Sequence, residues 1–154
     1  MTAPRYTLAE LVPHAGPMRL LDEVRAVSEE TVEALAHARR DGIFAEPGRP
    51  GIPAWVGLEY LAQAIAAWSG HHELEAGRPV RPGLLVGSRA FRSSVGRIPF
   101  DVPLTISATR LYADPDGINV FEGRVSGEGV EQSTRIKVFL PRDLAAHLEE
   151  PDDD

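Results

Sequence analysis

The chain contains no cysteine. Disulfides, thiolate catalysis and sulfur-ligated metal sites are therefore excluded. It also lacks a long apolar run: the most apolar stretch, residues 54–68, is interrupted by Glu59 and Gln63 and is too short to span a bilayer. Residues 1–11 have no apolar core behind a basic start, so they do not resemble a signal peptide. We expect a soluble, cytoplasmic protein.

Positive charge is also scarce, with 16 basic against 23 acidic residues and a net charge of −7. This balance argues against a general binder of the nucleic-acid backbone. The segment 149–154 carries five of the acids and is expected to be a disordered tail. Basic residues gather in the middle of the chain, where they form either a solvated surface or a docking site for an acidic partner. They are Arg39, Arg40, Arg49, Arg78, Arg81, Arg89, Arg92 and Arg97.

The order of predicted elements indicates one domain over residues 1–148. Thr7 caps a short helical turn at 8–11, and strands are predicted at 18–27 and 31–38. A helix at 54–68 is apolar on nearly every face and therefore buried. Strands at 83–91, 102–112, 118–125 and 133–140 follow, then a short helix at 143–148. One antiparallel sheet wrapped around a central helix satisfies this order. This is the α+β hot-dog architecture, and because one side of its helix stays poorly covered, we expect a dimer.

Glu59 and Gln63 are the long polar side chains of the buried helix, and they share a face because they lie four residues apart. Burial in an apolar helix favours the protonated form of a carboxyl group, which is the form that a general acid needs. The alternative is a structural glutamate held by Gln63 or by backbone groups at a dimer contact. The residues alone favour neither interpretation.

The histidines are scattered. His14 lies in a loop flanked by proline and glycine, and His37 lies in the second predicted strand. His71 and His72 follow the predicted end of the helix, where we expect them to cap its free carbonyl groups. Because no His/Asp/Glu cluster has metal-ligand spacing, and no phosphate-binding loop or serine nucleophile elbow is present, we expect no metal and no cofactor.

Several segments, in order, resemble the hot-dog dehydratases of type II fatty acid synthesis. The resemblance covers residues 11–140. Within it, residues 53–63 followed by Trp68-Ser69-Gly70 are similar to ApeP-type dehydratase-like proteins of aryl polyene pathways. The segments are 11–24 with its Pro13-His14 pair, Pro47-Gly48-Arg49-Pro50, the helix motif 58–63, Arg89-Ala90-Phe91-Arg92 and Asp101-Val102-Pro103-Leu104.

The resemblance implies elimination of water from a 3-hydroxyacyl group carried by acyl carrier protein, in a homodimer or a heterodimer of hot-dog subunits. Glu59 would be the acid. Backbone amides near Ala54 and Trp55 would stabilise the developing oxyanion, since helix N-termini favour negative charge. Gln63 would contact the substrate. The carrier would dock on Arg89, Arg92 and Arg97.

One departure from that family concerns the base. The fatty-acid enzymes place a histidine in the loop before the helix, and counting back from Glu59 puts this position at Ala45. Three possibilities stay open: His14 is the base, a partner subunit supplies it, or the chain does not catalyse dehydration. In the last case the chain is a non-catalytic partner of an active hot-dog subunit, or a thioesterase in which Glu59 activates water.

Overall fold

The computed structural model describes residues 1–13, 16–81 and 83–140. His14, the helix predicted at 143–148 and the acidic segment 149–154 lie outside the described residues. Our expectations for them stay predictions.

Six long antiparallel strands and one long helix make up the fold. The helices are α1 (Leu8–Leu11) and α2 (Val56–Glu75), with a 3-10 turn at Gly16–Met18. The strands are β1 (Leu21–Val27), β2 (Thr31–Ala36), β3 (Ile52–Pro53), β4 (Leu84–Ser93), β5 (Arg97–Ile98), β6 (Leu104–Ala113), β7 (Ile118–Gly127) and β8 (Val130–Phe139). The main sheet has the order β1-β2-β6-β7-β8-β4, and β3 and β5 form a separate pair. The hot-dog prediction is confirmed.

Helix α2 is longer than predicted, and it runs through Gly70 to Glu75. A Cβ at Gly70 would lie 2.5 Å from the carbonyl oxygen of Leu11, so the glycine permits α1 to approach the helix closely. His71 and His72 therefore lie inside the last turns, and the prediction that they cap the helix end is wrong. The His72 Nε2 atom instead lies 3.0 Å from the carbonyl oxygen of Ser28.

The strand ends also differ from the prediction. The turn at Gly16–Met18 delays the start of β1 to Leu21, and β2 ends at Ala36, so His37 follows the strand rather than lying in it. The short strands β3 and β5 were not predicted. Two-residue strands are too short to show an alternating pattern in the sequence.

Helix α2 packs on one face of the sheet, against β1, β2, β6 and β7. Inward residues of the central strands, such as Ile106, Phe121 and Ile136, are fully buried. A Cβ at Gly123 of β7 would lie 2.8 Å from the side chain of Leu61, so this glycine lets the helix lie directly on the sheet. Full burial of a leucine or isoleucine side chain, such as that of Leu61 or Ile106, stabilises the fold by about 1.5–3 kcal/mol.

One side of α2 stays open beside the edge strand β4. Ala62 and Ala66 on this side are only partly buried, while the opposite face of the helix is fully buried. On the strand, Leu84 is 63% exposed and Val86 is 54% exposed.

Among the described residues, no helix has both the length and the hydropathy needed to cross a membrane.

Candidate functional site

A cavity of about 340 Å³ lies between the open side of α2 and strand β4. Its walls are apolar except at Glu59, which is the one ionisable side chain among the described residues that line it. Because a mostly apolar cavity with a single reactive group is typical of a ligand site, this cavity is the candidate active site. The lining residues are Pro13, Glu59, Ala62, Ile65, Ala66, Gly83, Leu84, Leu85, Val138 and Leu140.

The Glu59 side chain lies in the second turn of α2 and is half-buried. No residue of the described ranges forms a hydrogen bond or an ion pair with its carboxyl group. The structural role considered above, in which Gln63 holds Glu59, therefore has no support in the described contacts. A carboxyl group that faces an apolar cavity in this way can exchange a proton with a ligand in the cavity.

Gln63 is buried and has a different role from Glu59. Its Oε1 accepts a hydrogen bond from the backbone N–H of Leu20 (2.8 Å), and its Nε2 donates to the carbonyl oxygen of Met18 (2.7 Å). Both polar atoms thus bind the segment that leads from residue 16 into β1. Gln63 does not line the cavity, and contact with a substrate would compete with these two bonds.

Ala54 and Trp55, which immediately precede α2, do not line the cavity. The N–H of Ala54 donates to the carbonyl oxygen of Gly96 (3.1 Å), so this amide already has an acceptor. Trp55 is 50% exposed and packs edge-on against Phe44, with ring centroids 5.3 Å apart. Of the two predicted oxyanion donors, only the Trp55 amide has no acceptor among the described residues.

Gln132 of β8 was not predicted as part of the site, yet it fixes the start of the helix. Its side chain is buried, and its Nε2 donates to the carbonyl oxygen of Ala54 (2.9 Å) and to Ser93 Oγ (3.0 Å). Its Oε1 is buried without a hydrogen-bond partner. The signal in the sequence was a glutamine at an inward position of a strand, between Val130 and Thr134.

His37 belongs to a second, smaller cavity. Its Nδ1 lies 2.5 Å from Asp22 Oδ2, and Arg39 donates to Asp22 Oδ1 (2.6 Å). The cavity measures about 30 Å³ and also contacts Tyr60 and Phe44. Burial raises the pKa of Tyr60 to about 12.

No histidine of the described ranges lines the Glu59 cavity. Ala45 does not line it either: this residue borders an open cleft beside Arg49 and Phe100. The base that dehydration requires is therefore absent from the described walls of the cavity. His14, the sequence candidate, lies outside the described residues, immediately after the cavity residue Pro13.

The three predicted docking arginines fall into two groups. Arg97 donates from Nε to the carbonyl oxygen of Pro50 (2.6 Å). Its Nη2 donates to Glu46 Oε1 (2.9 Å) and to the carbonyl oxygen of Gly51 (3.1 Å). It therefore holds the loop before α2. Arg89 and Arg92 are exposed on β4 and form no ion pair with any described residue.

Comparisons with known proteins agree with this architecture. One chain of a solved structure, the dehydratase heterocomplex ApeI:P from Xenorhabdus doucetiae, is 31% identical to this chain with a TM-score of 0.80; the match covers 95% of this chain and 100% of that one. The virulence protein Cj0977 from Campylobacter jejuni (12% identity, TM-score 0.59, covering 86% and 85% of the two chains) has a similar fold. PaaI from the E. coli phenylacetic acid degradation operon also has a similar fold (9% identity, TM-score 0.57, covering 76% of this chain and 81% of PaaI).

A search of curated proteins found no match. Residues 6–149 match the family described as ApeP-like, ApeP dehydratase. The matched range includes the whole sheet, α2 and the cavity that Glu59 lines. The chain is therefore a member of the ApeP-like family of dehydratases.

Proposed function

We propose that this chain eliminates water from a 3-hydroxyacyl thioester carried on an acyl carrier protein. Glu59 protonates the departing hydroxyl group, and the acyl chain occupies the apolar cavity between α2 and β4. We also keep the prediction that the protein acts in the cytoplasm.

The observation that carries this proposal is the isolated carboxyl group of Glu59 in an apolar cavity of about 340 Å³. Elimination needs an acid at the hydroxyl group and a base at C2 of the acyl chain. It needs no metal and no redox group. The aliphatic walls suit an acyl chain, and Glu59 is the group placed to transfer a proton inside them.

The base must come from outside the described walls. Because His14 follows the cavity residue Pro13 directly, it is one candidate. A residue of a second subunit is the other. The loss of one proton-transfer partner costs about 10²–10⁴-fold in rate, so a working enzyme requires one of the two.

A second hot-dog subunit fits the open edge of β4. This edge strand is ten residues long and carries Leu84, Leu85 and Val86, which are 42–63% exposed. A long apolar edge strand without a cover promotes pairing with another chain. Such a subunit would close the open side of the Glu59 cavity, since Leu84 and Leu85 line it. The relative from Xenorhabdus doucetiae is one chain of a heterocomplex, which favours a second subunit that differs from this chain.

The thioester substrate is presented by an acidic carrier. Arg89 and Arg92 are the predicted docking residues that are exposed and unpaired within the described part of the chain. Arg97 holds the loop before α2, so we assign it a structural role in this proposal.

Mass spectrometry of a 3-hydroxyacyl carrier protein tests the reaction. The carrier is incubated with the purified chain, alone and together with its partner hot-dog subunit. We expect the loss of one water from the acyl group. Release of the free acid would indicate a thioesterase instead, and an unchanged carrier in both mixtures would contradict the proposal.

The non-catalytic subunit is a second candidate, favoured by one observation: no histidine of the described residues lines the Glu59 cavity. Under that alternative, the mixture with the partner dehydrates the substrate, and Glu59→Gln leaves the rate of the mixture unchanged.

A further inference from the structure

The open side of α2 borders two cavities in succession. Glu59, Ala62, Ala66 and Ser69 are all partly exposed, and they share one face of the helix because each lies about one turn after the last. The first three line the candidate active site, whereas Ser69 lines a second cavity of about 240 Å³. With a rise of about 1.5 Å per residue, the boundary between the two cavities lies about 10–15 Å from Glu59 along the helix.

Leu140, which follows β8, separates the two cavities. It lines both of them and is itself buried. Its backbone N–H donates to the carbonyl oxygen of Gly117 (2.9 Å). A Cβ on Gly83 would lie 3.1 Å from Leu140 Cδ2, so the glycine before β4 leaves room for this side chain. The hydrogen bond and the packing together hold the leucine side chain at the boundary.

The second cavity differs from the first in its chemistry. Apart from Trp68 and Leu140, the described residues that line it are polar: Glu29, Ser69, His72, Glu73, Arg110 and Asn119. Two of them, Glu73 and Asn119, are buried, and Glu73 binds Arg78 (3.1 Å). Methylene groups that entered this cavity would displace water from polar groups without replacing its hydrogen bonds, which costs free energy. The surroundings therefore favour an alkyl chain only on the Glu59 side of Leu140.

We propose that Leu140 is a specificity-determining residue that sets how far the acyl chain enters the protein. The chain begins beside Glu59, runs along Ala62 and Ala66, and ends against the leucine side chain. This inference rests on the proposed function, since it assigns the far end of the same acyl site. The preferred substrates are then acyl groups whose far end reaches Leu140 but does not pass it.

A series of acyl chain lengths tests this assignment. Calorimetry measures how tightly the complex with the partner subunit binds acyl carrier protein that bears an unreactive, straight-chain acyl amide of increasing length. Leu140→Ala removes the barrier. Val138→Ala is the matched control, because Val138 is a buried residue that lines the Glu59 cavity but not the second one. Circular dichroism verifies folding, and Leu140→Val is the milder variant to use if Leu140→Ala does not fold.

In the wild type, we expect each added methylene group to strengthen binding about fourfold until the chain reaches Leu140, and longer chains to gain nothing more. In Leu140→Ala this limit should move by about two carbon atoms, so that the longest amides bind about tenfold more tightly than to the wild type. Leu140→Val should move the limit by about one carbon atom. Val138→Ala should leave it at the wild-type length.

A limit at the same chain length in the wild type and in the Leu140 variants would overturn the proposal, as would an equal shift in Val138→Ala. An affinity that does not depend on chain length would also overturn it, because the acyl chain would then lie outside the cavity. Failure of the proposed function gives a different result: the limit moves with the Leu140 variants, but a 3-hydroxyacyl carrier keeps its water in the mass-spectrometric assay.

Discussion

Gln132 of β8 lies against Gly57 in the first turn of α2, so closely that a Cβ on Gly57 would be 1.8 Å from Gln132 Oε1. The same glutamine donates to the carbonyl oxygen of Ala54 and to Ser93. One side chain therefore joins the start of the helix to β8 and β4. Glu59 follows Gly57 by two residues, so this contact also sets the position of the candidate acid.

We predict that Gly57→Ala destabilises the protein by about 1–3 kcal/mol, because the added methyl displaces Gln132 and leaves buried polar groups unpaired. Chemical denaturation measures the change. Gly96→Ala is the control, since a Cβ there meets nothing within 4 Å. Equal stability of the two variants would show that Gln132 moves aside without cost.

Gln63→Leu tests the assignment of Gln63 to structure rather than to substrate binding. The leucine leaves the N–H of Leu20 and the carbonyl group of Met18 without their partner, at a cost of about 1–3 kcal/mol. Glu59→Gln, one turn away on the same helix, should change the free energy of unfolding by no more than about 0.5 kcal/mol, as it has no described partner. Unfolding in urea compares the two, and an unchanged midpoint for Gln63→Leu contradicts the assignment.

Arg97→Ala should loosen the loop before α2, since Arg97 binds Glu46 and the carbonyl groups of Pro50 and Gly51. Hydrogen exchange at residues 46–51 is the measurement, and we expect faster exchange there. Arg92→Ala is the control and should leave this exchange unchanged. If both variants exchange like the wild type, Arg97 is free to serve in docking, as the sequence suggested.

The ion pair of Glu30 with Arg110 (2.7 Å) predicts a dependence of stability on pH. The hydrogen bond from Arg110 holds the pKa of Glu30 below its usual value of 4.5. Because the folded-state pKa is the lower one, the pair stabilises the protein above pH 4.5, and this contribution is lost as the pH falls through the folded-state pKa.

The measurement is the difference in the free energy of unfolding between the wild type and Glu30→Gln, followed from neutral pH down to about pH 3. We expect the difference to shrink as the solution becomes more acid. Glu23→Gln, at an exposed position of β1, should show no such trend. A difference that is constant with pH would mean that Arg110 does not act on Glu30.

Much of the fold followed from the sequence. Runs rich in strand-forming residues predicted the six long strands, and their order along the chain predicted one sheet around one helix. The predicted cap of α1 by Thr7 is also present. The extent of α2 did not follow. The helix was predicted to end before Gly70, because glycine is unfavourable inside a helix. In the structure, Gly70 lies inside α2, where the absence of a side chain allows the backbone of Leu11 to approach. A contact between residues so far apart in the sequence leaves no local signal.

The candidate site was predictable only in part. Glu59 was found because a carboxylate in an apolar helix is unusual, and it does line a cavity. Its expected neighbour Gln63 binds backbone groups instead, since spacing along a helix gives a shared face but not the partners on that face. Gln132 could not be linked to the start of the helix from the sequence, because it lies 78 positions from Ala54, whose carbonyl oxygen accepts its hydrogen bond.

The most direct test of the account compares Glu59→Gln with the control Glu23→Gln in the complex with the partner subunit, using a 3-hydroxyacyl carrier protein as substrate. The variable measured is the rate at which the acyl group loses water. We predict a decrease of about 10²–10⁴-fold for Glu59→Gln and no change for Glu23→Gln. A wild-type rate for Glu59→Gln would contradict the central claim that this carboxyl group carries out the proton transfer.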